Sequence, residues 1–563
     1  MKNNIILIST LLVLSQFIWA QTNSDDLGVQ EVQITDYFIP QIPLSSKIES
    51  IPMLKDTIKT SHNVSFQPHN KQFQSKLKLN PIKAAKIKGQ QIPKIYRTYV
   101  YGGVGNMSMP TSRIYYNSDR DKSVIYALEL GYVESYAKIK SRFDELQKVS
   151  AAFRKIDASI FAKTNLDFGV LSAQVQRQGR QHQAYGYNPI QYEINDEWTN
   201  QYWGYSSLSF TLESKQSSNS FPGYVTKFLM SDLNEYTENR IAWFLELDKR
   251  HAENDLSLDV GLDYYINNLS TKYQFVDSLK KELIFTVKPS VEKEVKGGTL
   301  SLGFELQSED KRNSSDIKVH LFPDIHYGYV ISKDYINAKS GLRGGLQKNS
   351  YWSFSKSNPF ILNALAYDGA GLNLQNTKTL YDLYVAISTY LGYELYFDAE
   401  CSYSRVHEMP FFELDYQSTY ANKFRVVYDN ASHFTTSAVI DWKLNEKSII
   451  NLSVDYHNYQ TDSIQSFTYK PTLITKLKAN FNLGDKILPQ IQFFTSFNRS
   501  KTASESSTPG LKDIIDFNLS LEYKYNPNIS AYFKGYNMIG GYQIWENYPV
   551  LGPQVFFGLS FRL

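Results

Sequence analysis

The sequence predicts an all-β fold: a transmembrane antiparallel β-barrel of about 22 strands, preceded by an irregular Pro/Lys-rich periplasmic segment. Three observations predict it. From Lys94 onward, segments of about ten residues alternate apolar and polar side chains, which puts every second side chain on one side of a sheet and suits a tilted membrane crossing. Tight polar turns alternate with longer irregular connections, as when short periplasmic turns and long external loops join the strands. The composition, 42 tyrosines and 33 phenylalanines against 7 methionines and one cysteine, favours strands and interfacial aromatic girdles over helical packing. A mean hydropathy of −0.38 fits a barrel, because only alternate residues meet lipid.

Taken in order, residues 1–20 carry Lys2, the apolar runs at 5–8 and 11–14, and the small residue Ala20, which is the layout of a cleaved secretory signal. The alternative, an anchor helix, would need a longer apolar run. Cys401 lies far from that cleavage point, so a lipid-anchored precursor and an intrachain disulfide are both excluded. Residues 21–92 change character: Pro40, Pro43, Pro52, Pro68 and Pro81 punctuate them, and Lys76, Lys78, Lys83, Lys86 and Lys88 recur without alternation. Too few apolar residues are present for a core, so a periplasmic extended tail is expected, either free or docked in the barrel mouth.

Residues 93–563 form the expected barrel. Early strands are expected at 97–104, 123–136, 206–214 and 299–306, with weaker alternation than those further on, while those between 225 and 290 are harder to delimit. Further on, Ala438, Ile440, Trp442 and Leu444 oppose Val439, Asp441 and Lys443, and Leu473, Leu477, Ala479, Phe481 and Leu483 oppose Lys476, Lys478, Asn480 and Asn482, marking lipid and lumen faces. Phe517, Leu519, Leu521, Tyr523 and Tyr525 continue the pattern, and Asn526, Pro527 and Asn528 turn the chain. The barrel-closing strand is expected to be Val555, Phe557, Leu559, Phe561 and Leu563, alternating with Phe556, Gly558, Ser560 and Arg562 and pairing with the first strand. Long connections are expected near 138–156, 189–202, 350–378, 407–422 and 500–512, and short ones at 119–122, 445–448 and 526–528. A soluble propeller or paired sandwich also has many strands, but no blade-length repeat is visible.

The barrel resembles that of TonB-dependent outer-membrane receptors, in particular plug-poor homologues of Bacteroidetes type. The resemblance rests on Tyr542-Gln543-Ile544-Trp545-Glu546-Asn547-Tyr548-Pro549 running into Gly552-Pro553-Gln554-Val555-Phe556-Phe557-Gly558-Leu559, and on Pro81-Ile82-Lys83-Ala84-Ala85-Lys86-Ile87-Lys88-Gly89 leading to Tyr96-Arg97-Thr98-Tyr99-Val100. It is spread over 81–563 and implies a barrel in the outer membrane of a Gram-negative bacterium, with outer-membrane lipid and the barrel-assembly machinery as partners. Glu31, Val32, Gln33, Ile34 and Thr35 resemble a TonB box, which pairs by strand addition with a TonB-like periplasmic protein. Two departures stand out. Family receptors hold a folded plug inside the barrel, whereas only about 70 Pro-rich residues separate Gln21 from the first strand, and Leu563 stands where an aromatic residue is typical, with Phe561 able to serve.

Side-chain chemistry points away from catalysis. His182, His251, His320, His326, His407, His433 and His457 lie in no HExxH helix, and no GxSxG elbow exists, so no enzyme activity, metal or cofactor is expected. His320 and His326 share one face of a strand about 20 Å apart. The glycines at 102, 103 and 105 and at 341, 344 and 345 lack the following Lys-Ser/Thr of a phosphate loop and suit bulges or close backbone approaches. Glu305, Glu309 and Asp310 lack a calcium-loop pattern and suggest a rim of solvated charge. Tyr351, Trp352, Phe354, Phe360, Phe411, Phe412 and Tyr416 are expected either to pack loops and girdles or to hold sugars. A net charge of +3 gives no case for nucleic acid.

The expected function is binding or passage of an unidentified solute. The alternative is a non-transporting accessory barrel whose tail docks periplasmic or envelope-assembly partners. An empty barrel this wide would leak, so the tail, inward-folded loops or bulky lumenal side chains are expected to obstruct it.

Overall fold

The computed structural model describes residues 96–119, 123–215, 222–234, 238–268, 279–311, 317–332, 335–362, 372, 374–464, 469–499 and 511–563. The expected signal, the tail and the TonB-box-like segment lie outside them.

Strands begin with β1 (Thr98–Gly105), β2 (Met109–Asn117), β3 (Val124–Ser135), β4 (Lys138–Lys140), β5 (Lys148–Ser150), β6 (Phe153–Asn165), β7 (Gly169–Gln183), β8 (Asn200–Ser214) and β9 (Gly223–Asn234). They continue as β10 (Glu238–His251), β11 (Asn254–Asn268), β12 (Leu279–Val295), β13 (Gly298–Lys311), β14 (Ile317–Ser332), β15 (Ile336–Gln347), β16 (Thr377–Leu391), β17 (Leu395–Asp415) and β18 (Lys423–Asn445). The last are β19 (Ser448–Thr461), β20 (Leu473–Asn480), β21 (Ile487–Phe497), β22 (Ile514–Asn526), β23 (Ile529–Tyr536), β24 (Gln543–Trp545), β25 (Tyr548–Pro549) and β26 (Gln554–Arg562). Two pairs, β4–β5 and β24–β25, form separate small hairpins, and the rest make one 22-stranded sheet, the expected number. The sheet closes. β26 pairs antiparallel with β1 from Tyr99↔Arg562 to Gly105↔Phe556, and Thr98 and Leu563 exchange backbone hydrogen bonds of 3.0 and 2.8 Å.

The two faces are inverted relative to a water-soluble protein. Leu383, Val385, Phe557 and Leu559 are 57%, 59%, 58% and 49% exposed, whereas Ser560, Glu522, Gln307 and Glu309 are 2%, 7%, 6% and 1% exposed. Apolar side chains outside and polar ones inside is the arrangement that hydrocarbon around a water-filled cylinder selects.

Both chain ends of the barrel lie at one end, so strand order decides where each connection falls. At the end bearing Thr98 and Leu563 the turns are tight, as at 166–168, 296–297, 392–394 and 446–447. The longest connections, 136–152, 184–199, 348–376, 498–513 and 537–553, all join strands at the opposite end, the mouth. One expected boundary is corrected. Pro410, Phe411 and Phe412 belong to β17 rather than to a loop, and the connection shrinks to 416–422. A bulge between Val406 and Met409, with Glu408 at a φ of 54°, absorbs the break in alternation and lets the strand run on.

Candidate functional site at the barrel mouth

The connection from β15 to β16 begins with a short helix, Tyr351–Ser357. Ser350 caps it: its hydroxyl accepts from the Ser353 N–H at 3.1 Å while its own N–H donates to the Ser353 hydroxyl at 2.9 Å. The next two orphan donors find an acceptor on the wall, because the N–H groups of Tyr351 and Trp352 reach the Glu238 carboxylate of β10 at 2.7 and 3.3 Å. Trp352 stacks on Tyr205 of β8, centroids 4.5 Å apart and planes 2° from parallel, and the Arg180 guanidinium lies 5.4 Å from its ring.

Residues 358–362 then leave that wall for another. On one side Trp203 Nε1 donates to the Pro359 carbonyl at 3.2 Å and Gln201 Nε2 to the Ile361 carbonyl at 2.9 Å, both from β8. On the other, the Phe424 N–H of β18 donates to the Phe360 carbonyl at 2.9 Å, and the Leu362 N–H donates to the Phe424 carbonyl at 2.7 Å. In the closed order, β9 to β17 separate β8 from β18 one way round, and the remaining eleven strands separate them the other way. These are opposite walls. Their mouth-side ends converge, Asn422 beside β18 donating to the Ala184 carbonyl beside β7 at 2.7 Å, and residues 358–362 lie between them as a strap hydrogen-bonded to both.

Aromatic side chains from several connections pack against it. Phe360 stacks on Tyr548 at 3.8 Å, and Tyr185, Phe424, Tyr469 and Trp545 complete one cluster with buried Ala184, Leu414 and Leu511. Polar ties hold the pieces: Tyr185 donates to the Pro549 carbonyl at 2.8 Å, Asn422 to the Ala184 carbonyl at 2.7 Å, and the Tyr548 hydroxyl to the Asn422 carbonyl. Burial drives the phenol pKa values of Tyr185 and Tyr548 upward, so both remain neutral donors. With about 1.5–3 kcal/mol for each fully buried large apolar side chain, this cluster makes the connections one folded cap rather than independent loops.

The stems of the strap are clamped by wall carboxylates. Glu282 of β12 holds Lys348 at 2.6 Å and also accepts from Asn376. Glu309 of β13 accepts from Asn376 at 2.8 Å, and Lys378 pairs with Glu408 at 2.7 Å. This corrects the solvated rim expected around Glu309. It shares the inward parity of Glu305 and Gln307, so its carboxylate faces the strap.

Below the cap the inner wall is lined by paired charges. Arg343 contacts Asp382 at 2.8 Å and Glu400 at 2.6 Å and covers Tyr384 at 4.3 Å, while His326 bridges Tyr384 at 2.7 Å and Asp324 at 2.6 Å. His320 instead faces Glu309 at 3.5 Å, so the two histidines of β14 have separate partners. His433 contacts His457 at 3.2 Å and stacks on Tyr459 at 4.2 Å, and the His182 ring lies 6.4 Å from that of Phe360. The glycine clusters mark close approaches and a bulge: a Cβ on Gly341 would sit 2.8 Å from Tyr384 and from His326, and the register shifts across Gly344.

Of the aromatic residues singled out from sequence, Tyr351, Trp352, Phe354 and Phe360 are buried in the cap, Phe411 is buried in β17, Phe412 packs against Phe354 and Trp545, and only Tyr416 stands out, 56% exposed. The closing-strand residues Val555, Phe557, Leu559 and Phe561 point outward from β26, with Leu563 just beyond it. Trp203, Tyr205, Glu238 and Phe424 were not legible as site residues, because each occupies an ordinary position in a strand.

No family model and no curated protein matches the sequence. Solved structures do match its fold. The FrpB iron transporter from Neisseria meningitidis (F3-3 variant) aligns with a TM-score of 0.63 at 8% identity, over 84% of this chain and 82% of that one. The pyoverdine outer membrane receptor FpvA from Pseudomonas aeruginosa PAO1 aligns at 0.59 and 11% identity over 84% and 79%, and the copper transporter OprC at 0.58 and 10% over 84% and 81%. At such identities the likeness is one of architecture. The chain therefore has the 22-strand barrel fold of the TonB-dependent outer-membrane receptors.

Proposed function

We propose that this protein is a receptor barrel of the Gram-negative outer membrane that binds a solute at its external mouth and passes it inward without chemical change. The observation that carries this reading is the strap at 358–362, hydrogen-bonded to β8 and β18 and packed into an aromatic cap. In this reading the cap does the closing that a folded plug does in the resembled family, and solute binding must release it. Energy for that release would enter through Glu31, Val32, Gln33, Ile34 and Thr35, engaged by a TonB-like partner. The similar structures are named for iron, pyoverdine and copper transport or binding, which supports uptake as the class of activity.

Planar-bilayer conductance tests it. The wild-type barrel is expected to be closed, and replacing 350–376 by a short Gly/Ser linker should open a steady conductance. An open wild type, or a linker variant that stays sealed, overturns the strap as the obstruction. A barrel that opens for no solute and retains envelope proteins only when 21–92 is present would fit the accessory reading instead.

A further inference from the structure

The β4–β5 hairpin lies in the connection between β3 and β6, at the mouth. Its register pairs Lys138 with Ser150, Ile139 with Val149 and Lys140 with Lys148. One face, made of Ala137, Ile139, Val149 and Ala151, packs inward, where Val149 joins Tyr187 and Tyr420. Alternation then forces Lys138, Lys140 and Lys148 onto the outer face, and all three are exposed. Tyr136, 60% exposed, extends that face, its hydroxyl bonded to the Glu134 carboxylate at the edge and its ring left open.

Two lysines directly opposite each other, with Cβ atoms about 5 Å apart, set like charges side by side and destabilise the pair that carries them. Among the described residues none of the three lysines has an ion-pair partner. The hairpin's acids do not relieve the repulsion: Asp144 accepts from the Leu146 N–H at 2.9 Å, and Glu145 sits at the tip. Arg142 donates to Gln543 and Asn547 at 3.2 and 3.3 Å, which lays the hairpin over the connection between β23 and β26. The basic face is thus the one turned away from the packed connections, toward solvent.

We propose that this outer face is a capture surface for an acidic polysaccharide, Lys138, Lys140 and Lys148 taking its carboxylate or sulfate groups and Tyr136 lying beside a sugar ring. An anion between Lys140 and Lys148 converts their repulsion into two charge-assisted contacts. The open ring of Tyr136 offers an apolar face on which a pyranose can lie. The inference names a solute class for the mouth and so rests on the external orientation proposed above, yet its test does not depend on conductance.

The full-length barrel in neutral nanodiscs is titrated with fluorescein-labelled dextran sulfate, with uncharged dextran as the control polymer. Lys140→Gln with Lys148→Gln should weaken dextran sulfate binding by about tenfold and flatten its salt dependence, whereas Lys296→Gln with Lys486→Gln, on turns at the far end, should leave both unchanged. Heat-modifiable gel migration confirms that each variant is a closed barrel. Unaltered binding by the Lys140/Lys148 variant, equal loss in the far-end variant, or wild-type binding to phosphatidylglycerol vesicles but not to dextran sulfate would overturn the proposal.

Discussion

Tyr532 can lie across the closing seam because two glycines make room for it. Gly103 of β1 and Gly558 of β26 are register partners, and Gly558 is also opposite Tyr532 of β23. A Cβ on Gly558 would fall 2.2 Å from the Tyr532 hydroxyl and 2.4 Å from the Gly102 carbonyl. Tyr101 meets the Tyr532 ring edge to face at 5.6 Å, and Lys534 lies over both rings. Gly558→Ala is expected to cost about 1–3 kcal/mol by overpacking, seen as a lower unfolding temperature in heat-modifiable gel migration, and Tyr532→Ala should restore only part because the carbonyl clash remains. At the mouth, Glu238→Ala strips an acceptor from two helix N–H groups at a cost of about 1–3 kcal/mol. Faster protease cleavage near 350–362 in that variant, with the barrel intact, is the expected sign, and Glu238→Gln, which keeps one acceptor oxygen, should fall between.

As elements, β17 and β18 are the longest strands, at 21 and 23 residues; they supply Leu414 and Phe424 to the cap, while Phe411 packs beside it with Val406, Met409 and Ala431. The connection at 462–472 adds Lys470, whose ammonium sits 5.0 Å from the Phe411 ring and 5.3 Å from that of Tyr459. Lost hydration there lowers its pKa to about 8 from 10.5. Between those values the unfolded connection binds more protons than the packed one, so cap stability rises with pH through that window and is lowest below it. In planar bilayers, opening events should therefore become rarer as pH rises from about 8 toward 10.5. Lys470→Met, which keeps the volume and removes the charge, should open less often below that window and show no such dependence. A wild type with a flat profile would mean that Lys470 is hydrated in the membrane-bound protein.

For the whole molecule, the inverted faces make a sharp demand. Leu383→Arg or Val385→Arg, on the lipid side of β16, should cost up to about 2–4 kcal/mol near the bilayer midplane, measured by guanidinium unfolding in vesicles. A polar substitution at Gln492, on the lumenal side of β21, should cost far less. The strand pattern, the faces of β18, β20 and β22 and the even count that returns β26 to β1 were all readable from alternation, because a period of two is a property of neighbouring residues. Inward-folded loops were likewise expected as one of three obstructions, from barrel width alone. What alternation could not reveal was which connections meet over the mouth. Gln201 and Ile361 are 160 positions apart, and Asn422 and Tyr548 are 126 apart. Such pairs meet only when the sheet curls shut and sets β8 opposite β18. The same holds for Glu309, whose parity placed it inside but whose partner, Asn376, arrives from the strap. Sequence determined the cylinder and which side of it is wet, since those follow from each side chain's own solvent preference. Only the tertiary structure decided that the connections at the mouth pack into one cap, since that depends on closure geometry shared by all 22 strands.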